Sequence, residues 1–178
     1  MWSKESLQNP YHPELILNCQ KIAFEEWIKF FNCKLDIALT DTLGDDKFFK
    51  DFSSYYARLY SGLRHDSGDP ILWGRKVLEH YKKLDINPQE KIVVFSNNLN
   101  KEKVWEIFHE FGGHFKHIIF GIGTNFTNDV GVPYLQNVIK QTYCEGNPTA
   151  KLSNDSGKTM CKDEAYLEKF KKLLETEK

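Results

Sequence analysis

Short apolar stretches alternate with longer helical patterns along most of this chain, and that alternation limits the folds it can adopt. Candidate strands lie at 35–40, 61–65, 91–95 and 116–120. The segments between them carry apolar residues three and four positions apart, which is typical of helices. A helix between two strands returns the chain to the same end of the sheet, so the strands pair in parallel. We therefore predict an α/β fold with about four βα units.

The rest of the pattern predicts helices and a small hairpin. The helices are expected at 13–31, 48–60, 70–84, 99–111 and 163–178. After the last parallel strand, we predict a strand at 137–143 that turns at 145–148 and pairs with 149–152 as a hairpin. A polar loop follows at 153–158, and the charged, amphipathic last helix is expected to close the fold as an exposed element.

Polar residues follow each of the four predicted parallel strands. The sets are Asp41 with Thr42, residues 64–69, residues 96–98 and residues 121–125. Because the carboxyl ends of parallel strands meet at one edge of a sheet, all four sets should share one rim. This edge is where α/β proteins bind their ligands.

The densest of these sets is the stretch Arg64-His65-Asp66-Ser67-Gly68-Asp69-Pro70. A helix should begin at Pro70, because proline suits the first helical turn, and Asp69 then serves as its N-cap. Capping accounts for Asp69 but not for Arg64, His65 and Asp66 at the end of a strand. A ligand at these three side chains is one interpretation, and a polar turn that only caps the helix is the other.

Gly121 and Gly123 follow the last parallel strand and leave backbone N–H groups that an anion can approach closely. This motif is weak on its own, but it shares the predicted rim with Arg64 and Asp66. A phosphate at Gly123 and Thr124, with sugar hydroxyls at Asp66, would form a coherent sugar-phosphate site.

Other polar residues near the rim leave two interpretations open. Asn97 and Asn98 could donate neutral hydrogen bonds to a ligand or serve only as turn residues. Lys151, Lys158 and the loop at 153–156 could bind phosphate, but we favour a solvated loop. Four histidines outside the rim have no regular partner and are interpreted as surface or packing residues: His80, His109, His114 and His117.

Composition excludes several classes of function. The net charge of -1 gives no general attraction to nucleic acid or to anionic membranes. The four cysteines lack C-x-x-C spacing and are expected to be reduced, buried thiols of a cytosolic protein. Neither a signal peptide nor a membrane span is visible, so we expect a cytoplasmic protein. No cluster has metal-ligand spacing, and no Ser or Cys shows local signs of nucleophile activation.

Four stretches, taken in order, resemble the C-terminal half of nicotinate phosphoribosyltransferase. They are 62–70 (GLRHDSGDP), 94–99 (VFSNNL), 120–125 (FGIGTN) and 150–159 (AKLSNDSGKT), and the strand at 37–41 also fits. The resemblance implies an irregular, TIM-like α/β barrel, with residues 1–178 as a single C-terminal part of the barrel domain. It also implies an enzyme of NAD salvage that couples nicotinate and phosphoribosyl pyrophosphate to nicotinate mononucleotide and pyrophosphate. ATP hydrolysis assists that reaction.

The same resemblance assigns roles to individual residues. Arg64 would lie against the nicotinate ring, where a guanidinium can stack and offset the carboxylate. Asp66 would hold the ribose or the pyrophosphate, the latter through Mg²⁺. Gly123 and Thr124 would cradle the 5-phosphate.

Arg64 and Asp66 are therefore the predicted catalytic residues. The remaining predicted substrate-binding residues of the rim are His65, Ser67 and Asn97. Two positions depart from the family pattern, because Asn97 and Ser156 replace residues that are commonly Asp and Pro in the family.

The resemblance also implies parts that this sequence does not match. These are an N-terminal domain, the early barrel strands and a histidine that ATP phosphorylates. Trp2 corresponds to the tryptophan that follows this histidine, and none of the six histidines corresponds to the histidine itself.

Half of a barrel would leave open sheet edges, which predicts pairing with the other half or a homo-oligomer. One hypothesis is therefore the C-terminal part of a split or truncated enzyme that is inactive alone. The other is a non-catalytic remnant that binds a sugar phosphate or acts as an interaction piece.

Overall fold

The computed structural model of the chain describes residues 13–128, 130–135 and 137–176. Trp2, which the resemblance aligns with a family tryptophan, lies outside the described residues, as does the side chain of Ser156. No helix within the described ranges is long and apolar enough to cross a bilayer.

A parallel sheet of four strands organises the fold, with the strand order β1-β2-β3-β4. The strands are β1 (Ile37–Leu39), β2 (Gly62–His65), β3 (Ile92–Phe95) and β4 (His117–Phe120). All three strand pairs are parallel, so the carboxyl ends meet at one edge as predicted. A two-stranded antiparallel hairpin follows, with β5 (Tyr143–Cys144) and β6 (Asn147–Pro148).

Seven α-helices are present in the described ranges: α1 (Pro13–Phe31), α2 (Asp45–Asp51), α3 (Ser54–Leu59), α4 (Pro70–Lys83), α5 (Lys101–Phe111), α6 (Thr124–Thr127) and α7 (Glu164–Glu175). Side-chain caps fix three of their starts. Asp69 accepts from the Leu72 N–H at 2.8 Å, Asn100 from Lys103 at 2.9 Å, and Asp163 from Tyr166 at 2.8 Å. The predicted start of a helix at Pro70 with Asp69 as N-cap is confirmed.

The main core lies between the sheet and helices α1 to α5. It is built largely of aromatic and branched side chains, including Phe48, Phe52, Leu63, Trp73, Val77, Val93, Phe95 and Phe111. Helices α4 and α5 approach closely at Gly74, where an added Cβ would lie 2.4 Å from the Phe111 ring. Glycine is therefore required at this point of α4 despite its low helix propensity.

The single helix predicted over 48–60 is wrong, because the structure has two helices there. The chain leaves helical geometry at Phe52 (ψ 74°) and Ser53 (ψ 173°), between α2 and α3. Phe48, Phe52 and Tyr56 are nevertheless all buried in one core. Apolar spacing that continues across the break is what made two helices resemble one.

The strand predicted at 137–143 is also wrong, since only Tyr143 and Cys144 form strand β5. Val138 is 73% and Ile139 is 99% exposed, so these branched side chains have no buried face to pack against. In the predicted partner at 149–152, Thr149 still donates to the Thr142 carbonyl at 3.0 Å, whereas Leu152 bridges to Leu43 instead. The hairpin exists, but it is much shorter than predicted.

The last helix is not the exposed closing element that its charge suggested. Tyr166 and Phe170 of α7 are buried with Ile16 of α1 and Leu43 in a second, smaller core. The cysteines of the described ranges are free thiols, but the prediction that they are buried is wrong: Cys33 is exposed, and Cys19, Cys144 and Cys161 are partly exposed.

The predicted fold class is confirmed as an α/β fold with a parallel sheet. Within the described residues this sheet is open, with β1 and β4 at its two edges, and no closed barrel is formed.

Candidate functional site

The carboxyl ends of the four strands form a continuous rim. One hydrogen bond beyond each strand pair continues the sheet: Thr40 to the Arg64 carbonyl, Ser96 to the His65 carbonyl, and Gly121 to the Phe95 carbonyl. The residues that follow β1, β2, β3 and β4 are therefore held side by side. We refer to the polar residues at this edge as the rim.

Arg64 and Asp66 lie close together at the centre of the rim. The Arg64 side chain is 49% exposed, and its Nη2 lies 3.4 Å from Asp66 Oδ1. Its Nε donates to Ser96 Oγ at 3.0 Å, which ties the guanidinium to the next strand. Strand alternation places Leu63 and His65 on the buried face and Arg64 on the opposite one. The arginine is therefore both held and accessible.

His65 and Ser67 lie beneath the rim. His65 is fully buried, and its ring lies 5.2 Å from Trp73 and 6.0 Å from Phe95, measured between centroids. Its nitrogens lie near the backbone of Ser67 and Gly68 without hydrogen bonds of regular geometry. Burial lowers the pKa of His65 below its ordinary value of 6.5, so the ring is neutral at physiological pH.

A lysine joins the carboxylates that follow β1 and β2. Lys151 Nζ lies 3.1 Å from the buried Asp41 carboxylate and 3.8 Å from Asp66 Oδ2. Ser153 also donates to Asp41 Oδ2 at 2.9 Å. The Asp66 carboxylate therefore lies between two cations, Arg64 and Lys151.

The loop at 153–158 folds onto the rim, so the prediction of a solvated loop is wrong. Lys158 Nζ donates to the Asp66 carbonyl and, at 2.9 Å, to Asn97 Oδ1. Asp155 Oδ1 accepts from the Gly68 N–H at 3.1 Å, and its Oδ2 accepts from Asn97 Nδ2 at 3.4 Å. Asn97 is thus more than a turn residue, because its amide joins Lys158 to Asp155.

Sequence reasoning named Lys151 and Lys158 only as minor alternatives and missed Asp155. The available signal was the presence of two lysines and an aspartate within one short polar loop. Nothing local indicates which carboxylate or amide each of them meets, because Lys158 and the Asp66 carbonyl are 92 positions apart.

Gly123 and Thr124 lie at the end of β4, two strands away from Arg64. Gly123 immediately precedes the short helix α6, and a Cβ added to it would meet nothing within 4 Å. Asn125 anchors this turn by donating to the Leu99 carbonyl at 2.9 Å. The turn is therefore fixed in place and open to a ligand.

The described residues do not form a metal centre, since no group of three His, Cys, Asp or Glu side chains is placed to hold an ion. A cavity of about 370 Å³ lies beside the rim, lined mostly by apolar residues of α1, α7 and the hairpin. We place the candidate site at the rim rather than in this cavity. The charged and hydrogen-bonding groups that could hold a phosphate or a carboxylate lie at the rim.

Comparisons with known proteins find similarity over most of the chain. The sequence model of the nicotinate phosphoribosyltransferase (NAPRTase) family matches residues 2–178. The nicotinate phosphoribosyltransferase of Chromobacterium violaceum is 49% identical over 148 residues, which are 83% of this chain and 37% of that protein. That of Acinetobacter baylyi is 46% identical over 156 residues, 88% of this chain and 38% of that protein.

The fold is also similar to that of a nicotinate phosphoribosyltransferase whose structure has been solved. The crystal structure of nicotinate phosphoribosyltransferase from Vibrio cholerae superposes with a TM-score of 0.85 at 38% identity, covering 90% of this chain and 40% of that one. The chain therefore spans about two fifths of the length of the relatives it matches.

Proposed function

The chain belongs to the nicotinate phosphoribosyltransferase family, and on that premise we propose that its rim is part of a site that joins nicotinate to phosphoribosyl pyrophosphate. The observation that carries this proposal is the half-exposed Arg64, held by Ser96 beside the Asp66 carboxylate. Nicotinate is a flat aromatic carboxylate, and a fixed guanidinium can both stack on such a ring and offset its charge. The products would be nicotinate mononucleotide and pyrophosphate.

Asp66 is the proposed partner of the sugar. Phosphoribosyl transfer develops positive charge on the ribose as pyrophosphate leaves, and a carboxylate held nearby stabilises that charge. Asp66 is suited to this because the neighbouring cations Arg64 and Lys151 hold its carboxylate in place. Its oxygens could also accept hydrogen bonds from the ribose hydroxyls.

The phosphates are proposed to bind at two separate parts of the rim. Gly123 and Thr124 would hold the 5-phosphate through backbone N–H groups in an open turn. Lys151 and Lys158 supply positive charge on the other side, beside Asp66 and Asn97. Asn97 is then proposed to serve the site by supporting the loop, because its Nδ2 already donates to Asp155 Oδ2 and to the Gly68 carbonyl, both at 3.4 Å.

His65 and Ser67 are proposed to support the site from beneath the rim, without contacting the substrate. Both are buried beneath the strand end that carries Arg64 and Asp66. Their predicted substrate-binding role would therefore be exerted through the backbone that they support.

We include ATP and Mg²⁺ in the proposal because the family resemblance implies them. Asp66 is a single carboxylate with two cations within 4 Å of it, and this arrangement does not suit a resident metal ion. We propose that Mg²⁺ arrives bound to the pyrophosphate of the substrate. None of the described residues is assigned to ATP.

The barrel is likewise proposed rather than observed. The four parallel strands would be consecutive strands of a TIM-like barrel, with further strands completing it beyond the open edges of β1 and β4. Such strands could come from a protein part that matches the remainder of the relatives, or from a partner chain. The proposed location of the complete enzyme is the cytoplasm.

A chemical-shift titration tests whether the proposed ligands bind at the rim. The ¹⁵N-labelled chain would be titrated with phosphoribosyl pyrophosphate and Mg²⁺, and separately with nicotinate, and followed by amide chemical shifts. We expect phosphoribosyl pyrophosphate to shift residues 64–68 and 121–125, and nicotinate to shift the neighbourhood of Arg64.

The variant Arg64→Ala should lose the nicotinate response and keep the response at Gly123. Shifts confined to the apolar cavity, or none at millimolar ligand, would contradict the proposed site. Shifts from phosphoribosyl pyrophosphate alone, with no response to nicotinate, would favour a remnant that binds only sugar phosphate.

A further inference from the structure

We propose that Ser96 is a positioning residue, whose hydroxyl fixes the Arg64 guanidinium across the gap between β2 and β3. Gly121 supplies the space that this arrangement needs. The expected effect of Ser96 on nicotinate binding rests on the proposed function. The positioning of Arg64 by Ser96 does not depend on it.

The Ser96 hydroxyl is itself fixed before it meets Arg64. A serine hydroxyl has one proton to donate and two lone pairs to accept with. Ser96 Oγ donates to the His65 carbonyl at 2.7 Å, and the Ser96 backbone N–H donates to the same carbonyl at 3.1 Å. A second acceptor, Asp66 Oδ1, lies farther from Ser96 Oγ, at 3.4 Å, so the shorter bond directs the proton to the backbone of β2. The lone pairs then accept from the Arg64 Nε–H, which donates at 3.0 Å.

This bond decides where the guanidinium points. Arg64 is otherwise restrained by Asp66 at 3.4 Å, a long contact on a half-exposed side chain. An arginine with several rotatable bonds loses considerable rotamer freedom when it is held in one orientation. Ser96 provides a rigid acceptor for the Nε–H of Arg64. The face of the guanidinium that is proposed to stack on the nicotinate ring is therefore oriented before any ligand binds.

Gly121 explains how Ser96 can occupy this position. The Gly121 N–H donates to the Phe95 carbonyl at 2.8 Å, which brings the end of β4 against Ser96. A Cβ on Gly121 would lie 3.0 Å from the Ser96 Cβ, closer than nearly all real contacts of this kind. Gly121 is not among the glycines with positive φ, so the requirement for glycine there is one of space.

The Arg64 side chain can be observed directly, because the chain contains only three arginines, Arg58, Arg64 and Arg75. Each gives one Nε–Hε signal in a ¹⁵N spectrum. In Ser96→Ala we expect the Arg64 Hε to exchange with solvent about tenfold faster and its signal to shift. The Arg75 signal should not change, because Arg75 Nε donates to Glu110 at 2.8 Å on another surface.

Ser53→Ala is the matched control, since Ser53 is exposed and its side chain makes no capping bond. Ser96→Cys keeps the side-chain volume with a much weaker acceptor, and it should resemble Ser96→Ala if the hydroxyl is what matters. An Arg64 Hε signal that is unchanged in both Ser96 variants would overturn the proposal.

Gly121→Ala provides an independent approach to the same contact. It should speed Arg64 Hε exchange by displacing Ser96, and it should add little in a Ser96→Ala background, because both changes act on one bond. Fully additive effects would show that Gly121 acts elsewhere and would contradict the role assigned to it.

The binding consequence is measured separately. Ser96→Ala should weaken nicotinate binding about fivefold to tenfold and leave the shifts at Gly123 unchanged. If the wild-type chain binds no nicotinate while Arg64 Hε responds as described, the proposed function fails and the positioning role stands.

Discussion

At the scale of single residues, the rim is a set of charges that satisfy one another. Asp66 is bracketed by Arg64 and Lys151, and Lys158 is paired with Asp155 at 3.5 Å. Arg64 and Asp66 could be named from the sequence because they follow a strand of a predicted parallel sheet. The two lysines could not be placed, because their partners are far away along the chain and only the folded loop brings them together.

The buried His65 and the partly buried His80 should make the stability of the folded chain depend on pH. Burial lowers the pKa of His65 and of His80 below the ordinary 6.5. As the pH falls below about 6.5, the unfolded chain binds protons that the folded chain does not, so the free energy of unfolding decreases. The decrease continues until the lowered pKa of the folded state is reached. Near His65, Asp66 opposes this shift and Lys158 adds to it.

Urea unfolding at pH 7.5 and pH 5.5 measures the effect. Wild type should lose stability between these values, by at most about 1.4 kcal/mol per pH unit for each histidine. His65→Phe keeps an aromatic ring between Trp73 and Phe95 and should lose less. His114→Phe, at an exposed position, should behave as wild type. Equal pH dependence in His65→Phe and wild type would show that His65 does not carry the effect.

At the scale of elements, the strands and the capped helices were predictable because their signals are local. β3 is an apolar run with turn residues on both sides, and α4 has a cap and a proline at its start. Two features could not be predicted from the sequence: the break between α2 and α3, and the absence of a strand at 137–142. Both depend on which side chains find a buried face, and that is set by the tertiary fold rather than by spacing.

The α4 cap gives a quantitative prediction. Asp69→Ala removes the acceptor of the Leu72 N–H and should lower the free energy of unfolding by about 1 kcal/mol. Ser53→Ala, at an N-cap whose side chain makes no hydrogen bond, should change it by only a few tenths. Urea unfolding of both variants at pH 7.5 makes the comparison, and similar losses in the two would mean that the Asp69 bond is not what stabilises the start of α4.

At the scale of the whole molecule, the described structure is an open parallel sheet, and the edge proposed to bind the ligand is already organised. Strand β4 is an edge strand with Ile119 45% exposed, and further apolar side chains are exposed after it, including Phe126, Val130 and Leu135. These exposed side chains support the proposal that further strands pack beyond the edge of β4. The sequence pattern indicates the rim, whereas the proposal of a partner surface depends on the exposed side chains of the folded chain.

Turnover tests the central claim most directly. The purified chain would be given nicotinate, phosphoribosyl pyrophosphate, ATP and Mg²⁺, with and without the part of the Chromobacterium violaceum relative that it does not match. Complex formation would be checked by size-exclusion chromatography, and the relative's part alone is the control. We expect nicotinate mononucleotide only from the mixture, reduced about 100-fold or more by Arg64→Ala. A stable complex that makes no product, or one whose turnover is unaffected by Arg64→Ala, would contradict the claim that this rim carries out phosphoribosyl transfer.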